Sequence, residues 1–382
     1  MTAIPKDQSG DGALRVSEAD LHAFCRAALA AAGADEATVD AATRAMMHAS
    51  SLGVDSHGVR LLSHYAAVLI AGRLNPRPNI RITSGFGAVA TLDADDAHGA
   101  LATYKAMEHA IGLAGQMGIG AVAVTRSSHF GPAGAYALAA AEAGYIGLAT
   151  CNADAVVRLH DGASRFHGTN PIACGVPVRE GRPWLLDMAT SAIPYNRIRL
   201  YRSLRQPLPA GVASTPEGRD TLDADEAEML APIGGEFGFK GAGLAGLLEI
   251  FSAVLTGATL SFDLPRMAGP DLTTPRNLGA FVMAIRPDAF VDKSTFDEGL
   301  TRYLDRLRAS PARDGCSVMA PGDREWAEAE RRAVQGIPLD PVTIADFERL
   351  AERFDLALPF AAGQLGRTPE SATKKPTEGD SR

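Results

Sequence analysis

Cysteine is scarce in this chain. Its four cysteines, Cys25, Cys151, Cys174 and Cys316, are scattered and form no CxxC pair, which excludes a zinc ribbon and gives no sign of a disulfide framework. Cys151 and Cys174 sit in apolar stretches and read as small core residues rather than nucleophiles. A basic excess is also missing: 37 Lys and Arg face 45 Asp and Glu, a formal net charge of -8. A mildly acidic surface repels a phosphate backbone, so no nucleic-acid partner is expected. A small anionic substrate needs only a local basic pocket and remains open. There is no HExxH. His57 and His64, like His160 and His167, are seven apart, but neither pair has a carboxylate at ligand spacing, so no metal is expected. No GxSxG elbow supports a hydrolase triad. The most apolar stretch, Gly243 to Leu260, is interrupted by Glu249, Ser252 and Thr256, and reads as a buried helix of a soluble protein with no membrane contact. Met1 to Asp11 is polar without an apolar leader, so the expected location is cytoplasmic.

What is present suits a large mixed body. At 382 residues and 46% hydrophobic composition, the chain can bury a sizeable core spread over two or three domains' worth of sequence. Residues 1–13 and 362–382 are polar and read as disordered tails. Between them, residues 14–78 form an N-terminal helical segment. It has one helix opened by Ser17 with Asp20 three residues on, a second over Glu36–Ser51, and a third starting near Ser56. Asn75-Pro76 and Pro78 then stop the helical pattern. Residues 79–290 alternate strands (near Ile80, Ala88–Leu92, Gly118–Val124, Ile146–Thr150, Pro171–Pro177, Leu185–Met188, Gly279–Ile285) with helices His98–Gln116, Ala133–Ala143 and one from about Gly241. That alternation predicts a three-layer α/β/α body with a mixed sheet. Residues 291–361 return to helices, at Phe296–Arg308, Asp323–Gln335 and Val342–Arg353, expected to pack with the N-terminal segment.

Gly241 to Gly246 matches GxGxxG by letters, and Asp263 sits near where a ribose-binding acid would stand. A Rossmann fingerprint needs a buried strand directly before its first glycine. Here a glycine-rich loop, Gly234 to Lys240, precedes it, so the motif fails its context. Close helix packing accounts better for Gly243 and Gly246. The loop itself is of interest, because approachable backbone N–H groups at a helix start with Lys240 at the mouth suit a phosphate. A solvated lysine in a flexible loop is the alternative. Four further clusters carry groups able to do chemistry. Asp55-Ser56-His57-Gly58 offers an imidazole near neutrality with Asp55 or Ser56 to orient it. Ser127-Ser128-His129-Phe130-Gly131 follows a strand at its carboxyl end, where α/β sheets place ligands. Gly168-Thr169-Asn170-Pro171 and Asp187-Met188-Ala189-Thr190-Ser191 flank strands too, and each alone reads as turn chemistry.

In order, these pieces resemble one family. Asp55-Ser56-His57-Gly58-Val59, Tyr65, Ala71-Gly72-x-Leu74-Asn75-Pro76, Ser128-His129-Phe130-Gly131, Gly168-Thr169-Asn170-Pro171, Leu186 to Ser191, Phe239-Lys240-Gly241, Pro321-Gly322-Asp323 and Gly336-Ile337-Pro338 are similar to the motif series of the type 2 malate/L-lactate dehydrogenases over about residues 17–356. That family includes ureidoglycolate, sulfolactate and diketogulonate oxidoreductases and Δ1-piperideine-2-carboxylate reductases. The resemblance implies a non-Rossmann cofactor domain, a homodimer, and hydride transfer between NAD or NADP and the carbon beside a carboxylate. It implies His57 as proton donor and acceptor beside Ser56, with His129 holding that role in some members. It implies Tyr65 and Thr169 at the substrate. Its cofactor contacts are His129, Phe130, Gly131, Asp187, Met188, Ala189, Lys240, Gly241, Gly322 and Asp323.

Two positions depart from the pattern. Many members hold the substrate carboxylate with an arginine four residues after the SHG histidine, which here is Leu61, with Arg60 one residue earlier. One residue is a turn of about 100° on a helix, so Arg60 is not a direct substitute. Imine-reducing members can carry an acid ten residues after the DMATS-type aspartate, where Arg197 stands here. Arg60, Arg197 and Arg199 are therefore the candidate carboxylate clamps, Arg197 foremost. A 2-oxo/2-hydroxy acid dehydrogenase is the leading reading. A cyclic imine reductase and a non-catalytic dimeric nucleotide-binding protein are the alternatives.

Overall fold

The computed structural model describes residues 14–361; the two expected tails lie outside them. Three helices open the chain: α1 (Glu18–Ala31), α2 (Glu36–Ser51) and α3 (Leu62–Ala71). Ser17 caps α1 by accepting the Asp20 N–H, and Asp35 caps α2 through the Thr38 N–H, each satisfying an orphan donor of the first turn. The third helix starts later than the sequence pattern predicts. Asp55–His57 and Val59–Leu61 are two 3₁₀ turns in front of it, so Ser56 caps no α-helix and is free for another partner.

The body is a seven-stranded sheet. In chain order its strands are β1 (Arg81–Phe86), β2 (Val89–Asp93), β3 (Ile119–Ser127), β4 (Ile146–Cys151), β5 (Ile172–Val176), β6 (Trp184–Met188) and β7 (Leu278–Ile285). In space they run β1-β2-β3-β7-β4-β5-β6. Only β2 and β3 are parallel, joined through α4 (Gly99–Met117); every other neighbour is antiparallel. The sheet is mixed, as expected. The late strand β7 inserts between β3 and β4, and no local pattern encodes that insertion.

Helices α4 and α5 (Gly134–Glu142) cover one face, and α7 (Gly238–Glu249) with its π-helical extension Ile250–Val254 covers the other. Small residues make these contacts close. A Cβ on Gly175 would lie 2.4 Å from the Ala137 carbonyl oxygen of α5, and one on Gly279 would lie 1.6 Å from that of Ser252. The helices therefore sit almost backbone to backbone on the sheet, which accounts for alanine-rich α4 and α5 above a core poor in aromatics. The GxGxxG glycines behave differently from expectation. Gly241 is the one pressed against protein, its Cβ position 2.1 Å from the Ile233 oxygen, whereas nothing lies within 4 Å of Gly243. All of these glycines fall inside α7, with no strand before it.

The apolar stretch around α7 is also not fully buried. Gly235–Val254 is long and apolar enough to cross a membrane by length and composition, but its inner face packs on β7 and β4 and 39% of that window is buried. Leu247, Ile250, Val254 and Leu255 remain exposed on the outer face. One helix on a sheet can bury only one side, and no further layer among the described residues covers the other.

Three helices follow the sheet: α8 (Lys293–Arg308), α9 (Asp323–Gln335) and α10 (Pro341–Phe354). α9 packs on α2, and α10 on α1 and α3. Phe24 and Phe347 pack with tilted rings, centroids 4.8 Å apart, in a core shared by Leu21, Leu29, Met46 and Leu62. Arg15–Val16 pairs antiparallel with Ile337–Pro338. The N- and C-terminal segments thus build one helical part. α8 differs from expectation: it lies against the Pro287–Ala289 turn and is held to α9 by Arg308–Asp323, 2.8 Å. One helix was not expected from the sequence, α6 (Tyr195–Leu204). It buries only Ile198 and Tyr201, too sparse an apolar stripe to read. It packs with a small four-stranded sheet around Val157, Leu208 and Leu230.

Candidate active site

One rim of the sheet collects the chemistry. Because β7 is antiparallel to β3 and β4, its first residue lies beside their last: Leu278 pairs with Ser127, and Ala280 with Cys151. β5 starts at the same rim and β6 ends there, with Ile172 opposite Met188. His129 after β3, Asp154 after β4, Thr169 and Asn170 before β5, Asp187 to Ser191 at the end of β6 and Arg276 before β7 therefore share one edge. The 3₁₀ turns and α3 bring His57 and Tyr65 to it.

The two histidines lie side by side with ring centroids 6.0 Å apart and planes 16° apart. Ser56 Oγ lies 2.9 Å from His57 Nδ1, and the Tyr65 hydroxyl 2.9 Å from His129 Nδ1. Each imidazole is thus held at Nδ1 and keeps Nε2 for a substrate. Gly131, at φ +76, lies where a Cβ would be 3.5 Å from the Tyr65 hydroxyl and 3.9 Å from the His57 carbonyl oxygen. Ser56, His57, Tyr65, His129 and Gly131 are therefore brought together. Both imidazoles are half-buried yet enclosed by protein, and that desolvation pushes their pKa down. His129 is pushed well below the ordinary range, because His57, His64 and Arg276 add to the burial. A proton is lost more easily from a desolvated imidazolium, so both rings are neutral at neutral pH.

Other expected residues find different surroundings. Asp55 does not orient His57; its carboxylate meets the buried Arg332 of α9 at 2.5 and 2.9 Å. Arg60 points to Asp340, the cap of α10, at 3.4 Å. Leu61 packs toward the helical core. Phe130 puts its ring in the main core beside Tyr136, so only its backbone faces the rim. Arg197 and Arg199 lie on α6, Arg199 against the Tyr195 ring at 5.6 Å. Thr169 offers its carbonyl oxygen to Thr190, which leaves its own hydroxyl free of that duty.

A second group is contiguous. Asp187 Oδ2 accepts the Gly134 N–H at the start of α5, 2.8 Å. Asp187 is exposed yet flanked by protein, as in a recess, and desolvation pushes its carboxyl up to about 6 against the opposing effect of that N–H. Two residues after Met188, Thr190 accepts the Ile233 N–H at 3.0 Å, so the glycine-rich loop starts beside the end of β6. Gly234 and Gly235 have positive φ, and Lys240 stands in the first turn of α7 near the exposed rings of Phe237 and Phe239. Exposed backbone at the loop, tight Gly241 and an ammonium with no ion pair among the described residues fit a phosphate-bearing cofactor. Gly322 lies apart, over Leu185 near the start of β6, and Asp323 is engaged by Arg308 and the Ala320 N–H.

Three functional groupings escaped the sequence. Arg332 and Asp55 are 277 residues apart, and Arg276 and Asp154 are 122 apart. Buried Glu249 accepts hydrogen bonds from Asn170 and from the Ser261 N–H, holding the Thr169–Asn170 turn. No local pattern signals any of them.

The malate/L-lactate dehydrogenase family model matches residues 16–348. The malate dehydrogenase of Pyrococcus abyssi is 32% identical over 348 residues, covering 89% of this chain and 95% of that protein. The ureidoglycolate dehydrogenase (NAD(+)) of Escherichia coli K12 is 30% identical, over 85% of this chain and 93% of that one. The crystal structure of malate dehydrogenase from Entamoeba histolytica superposes with a TM-score of 0.85 at 28% identity, covering 91% of this chain and all of that one. The match extends over the helical part and the sheet alike, and on it the chain belongs to the malate/L-lactate dehydrogenase family of nicotinamide-dependent oxidoreductases.

Proposed function

We propose that this chain moves a hydride between NAD(P)H and a small 2-oxo or 2-hydroxy carboxylic acid, with His57 exchanging the proton. The observation that carries the assignment is the Ser56–His57 pair facing His129 on the rim where five strand ends meet. The cofactor, when bound, supplies or takes the hydride. The chain must then deliver a proton to the developing alkoxide, hold the acid in place and exclude water. His57 suits the proton better than His129, because its pKa is depressed by burial alone whereas His129 is driven far lower by burial and, added to it, its neighbours' charge. An acid–base group works best near the operating pH. Tyr65 holds His129 in register, and Thr169 stands on the opposite strand end for the substrate. Asp187, Met188, Ala189, Lys240 and Gly241 would hold the cofactor, Lys240 and the loop before α7 at a phosphate, without a Rossmann fingerprint. Gly322 and Asp323 would act from the side of β6.

The protein would work as a homodimer through the outer face of α7, whose exposed apolar stripe supports a self-complementary contact. Its four unpaired thiols suit the reducing cytoplasm. The test is NADH and NADPH absorbance against a panel of 2-oxo acids and cyclic imines. Turnover of a 2-oxo acid is expected. Tight NAD(P)H binding with no turnover across the panel would favour a non-catalytic nucleotide-binding protein instead.

A further inference from the structure

A substrate carboxylate in a dry site needs a cation, and Leu61 removes the one many relatives use. Arg60 is turned to Asp340, and Arg197 and Arg199 lie on the peripheral helix α6. The strand register points elsewhere. Arg276 stands two residues before Leu278, and His129 two residues beyond its partner Ser127, so Arg276 and His129 leave the sheet at the same place. Asp154 follows the strand on the other side of β7. Arg276 is 3% exposed. Its Nη2 meets Asp154 Oδ1 at 2.5 Å and its Nε donates to the Pro265 carbonyl at 2.8 Å, while Nη1 takes no hydrogen bond among the described residues. Its charge reaches His129 at the end of β3, Cys151 at the end of β4 and His64 on α3, which places it between the SHG segment and the sheet.

A second buried guanidinium, Arg73, comes from the end of the SHG segment. It donates only to the backbone carbonyls of Met267 and Asp271 and forms no ion pair among the described residues. The Asp271 carboxylate is turned to Thr273 and Thr274. Arg73 and Arg276 are thus two neighbouring buried guanidiniums; Asp154 pairs with Arg276, and its charge and that of Asp271 reach Arg73, among histidines that burial keeps neutral. A buried guanidinium that keeps one donor unmade favours an anion that completes it.

We propose that Arg276, steadied by Asp154, receives the substrate's carboxylate in place of the arginine absent at Leu61. The assignment rests on the oxidoreductase reading above and holds for an oxo acid or a cyclic imine acid alike.

The probe is oxamate, an unreactive analogue of a 2-oxo acid, titrated calorimetrically into the enzyme saturated with NADH, with NADH affinity followed separately by fluorescence. Arg276→Met is expected to weaken oxamate at least tenfold, the loss of one hydrogen bond to a charged group, and to leave NADH within about twofold. Arg276→Lys should recover part of the loss. Asp154→Asn keeps an acceptor for Arg276 Nη2, and so its orientation, while removing a competing negative charge, and should leave oxamate as tight or tighter. The double variant Arg276→Met/Asp154→Asn replaces the pair without stranding a charge, and its unfolding midpoint shows whether the fold persists. Oxamate binding by Arg276→Met within threefold of the wild type overturns the proposal. So does weakening by Asp154→Asn equal to that of Arg276→Met, which would make the pair a strut. A wild-type enzyme that binds no oxamate and turns over no acid overturns the functional reading as well.

Discussion

His57 carries the proposed chemistry through two local facts: a hydroxyl 2.9 Å from Nδ1 and a half-buried ring whose pKa is pushed down by desolvation. His57→Asn keeps a similar shape and a polar group near Ser56 but cannot exchange a proton. It should lower turnover roughly 10²–10⁴-fold, the usual worth of a general acid–base group, with NADH affinity unchanged by fluorescence titration. Near-normal turnover in this variant would move the role to His129. This residue was legible in the sequence because the SHG triplet puts all its parts side by side. Its partner in function, Arg276, was not, since its neighbours come from elements far apart along the chain. Of the two groups that the sequence offered to orient His57, Ser56 does so and Asp55 does not, for the same reason: Asp55 stands two residues from His57, but its charge goes to Arg332 across the helical part.

At the scale of elements, α7 and its π-helical end are set by β7. Gly279 permits the Ser252 carbonyl to lie on the strand, and a methyl there would be 1.6 Å from that oxygen and 2.5 Å from Thr256 Oγ1. Gly279→Ala should therefore destabilise by about 3 kcal/mol or more, at or above the upper end for overpacking, read as a lowered urea midpoint. A loss under about 1 kcal/mol would mean that α7 can ride outward freely. The alternation of strands and helices was legible because period-2 and period-3.6 patterns are local. The π-helical end and α6 were not, because both depend on what packs against them. The start of α3 was read too early because a 3₁₀ turn and an α turn show similar short apolar spacing.

At the scale of the molecule, burial and assembly make two predictions. Burial holds His98 at about 3, and holds His48 and His64 at about 4 with help from nearby arginines. In the unfolded chain each would titrate near about 6.5. The unfolded state therefore binds protons that the native state refuses, and stability falls as pH drops below the unfolded value toward the native ones. Each histidine contributes a slope of about 1.4 kcal/mol per pH unit in that window. Asp187, raised to about 6, opposes with one proton. The urea midpoint should drop between pH 7 and pH 5, and a flat midpoint would show that these rings are solvated. The other prediction concerns the outer face of α7. Leu247→Glu with Val254→Glu, two positions 45% and 60% exposed in the single chain, should halve the mass in sedimentation if copies pair there. A monomeric wild type would remove the dimer reading.

The sequence by itself determined the family, the order of the strands and helices along the chain, the SHG and SHFG clusters and the failure of the Rossmann motif. All of these are written in residues close together, where turn chemistry and periodicity act. Only the tertiary structure decided that β7 threads between β3 and β4, that Asp55 belongs to Arg332, and that Arg276 rather than Arg60 stands beside His129. Those outcomes turn on which strand ends share a rim and which charges lose their water together. Both are set by contacts between residues more than a hundred positions apart, and no local pattern records them.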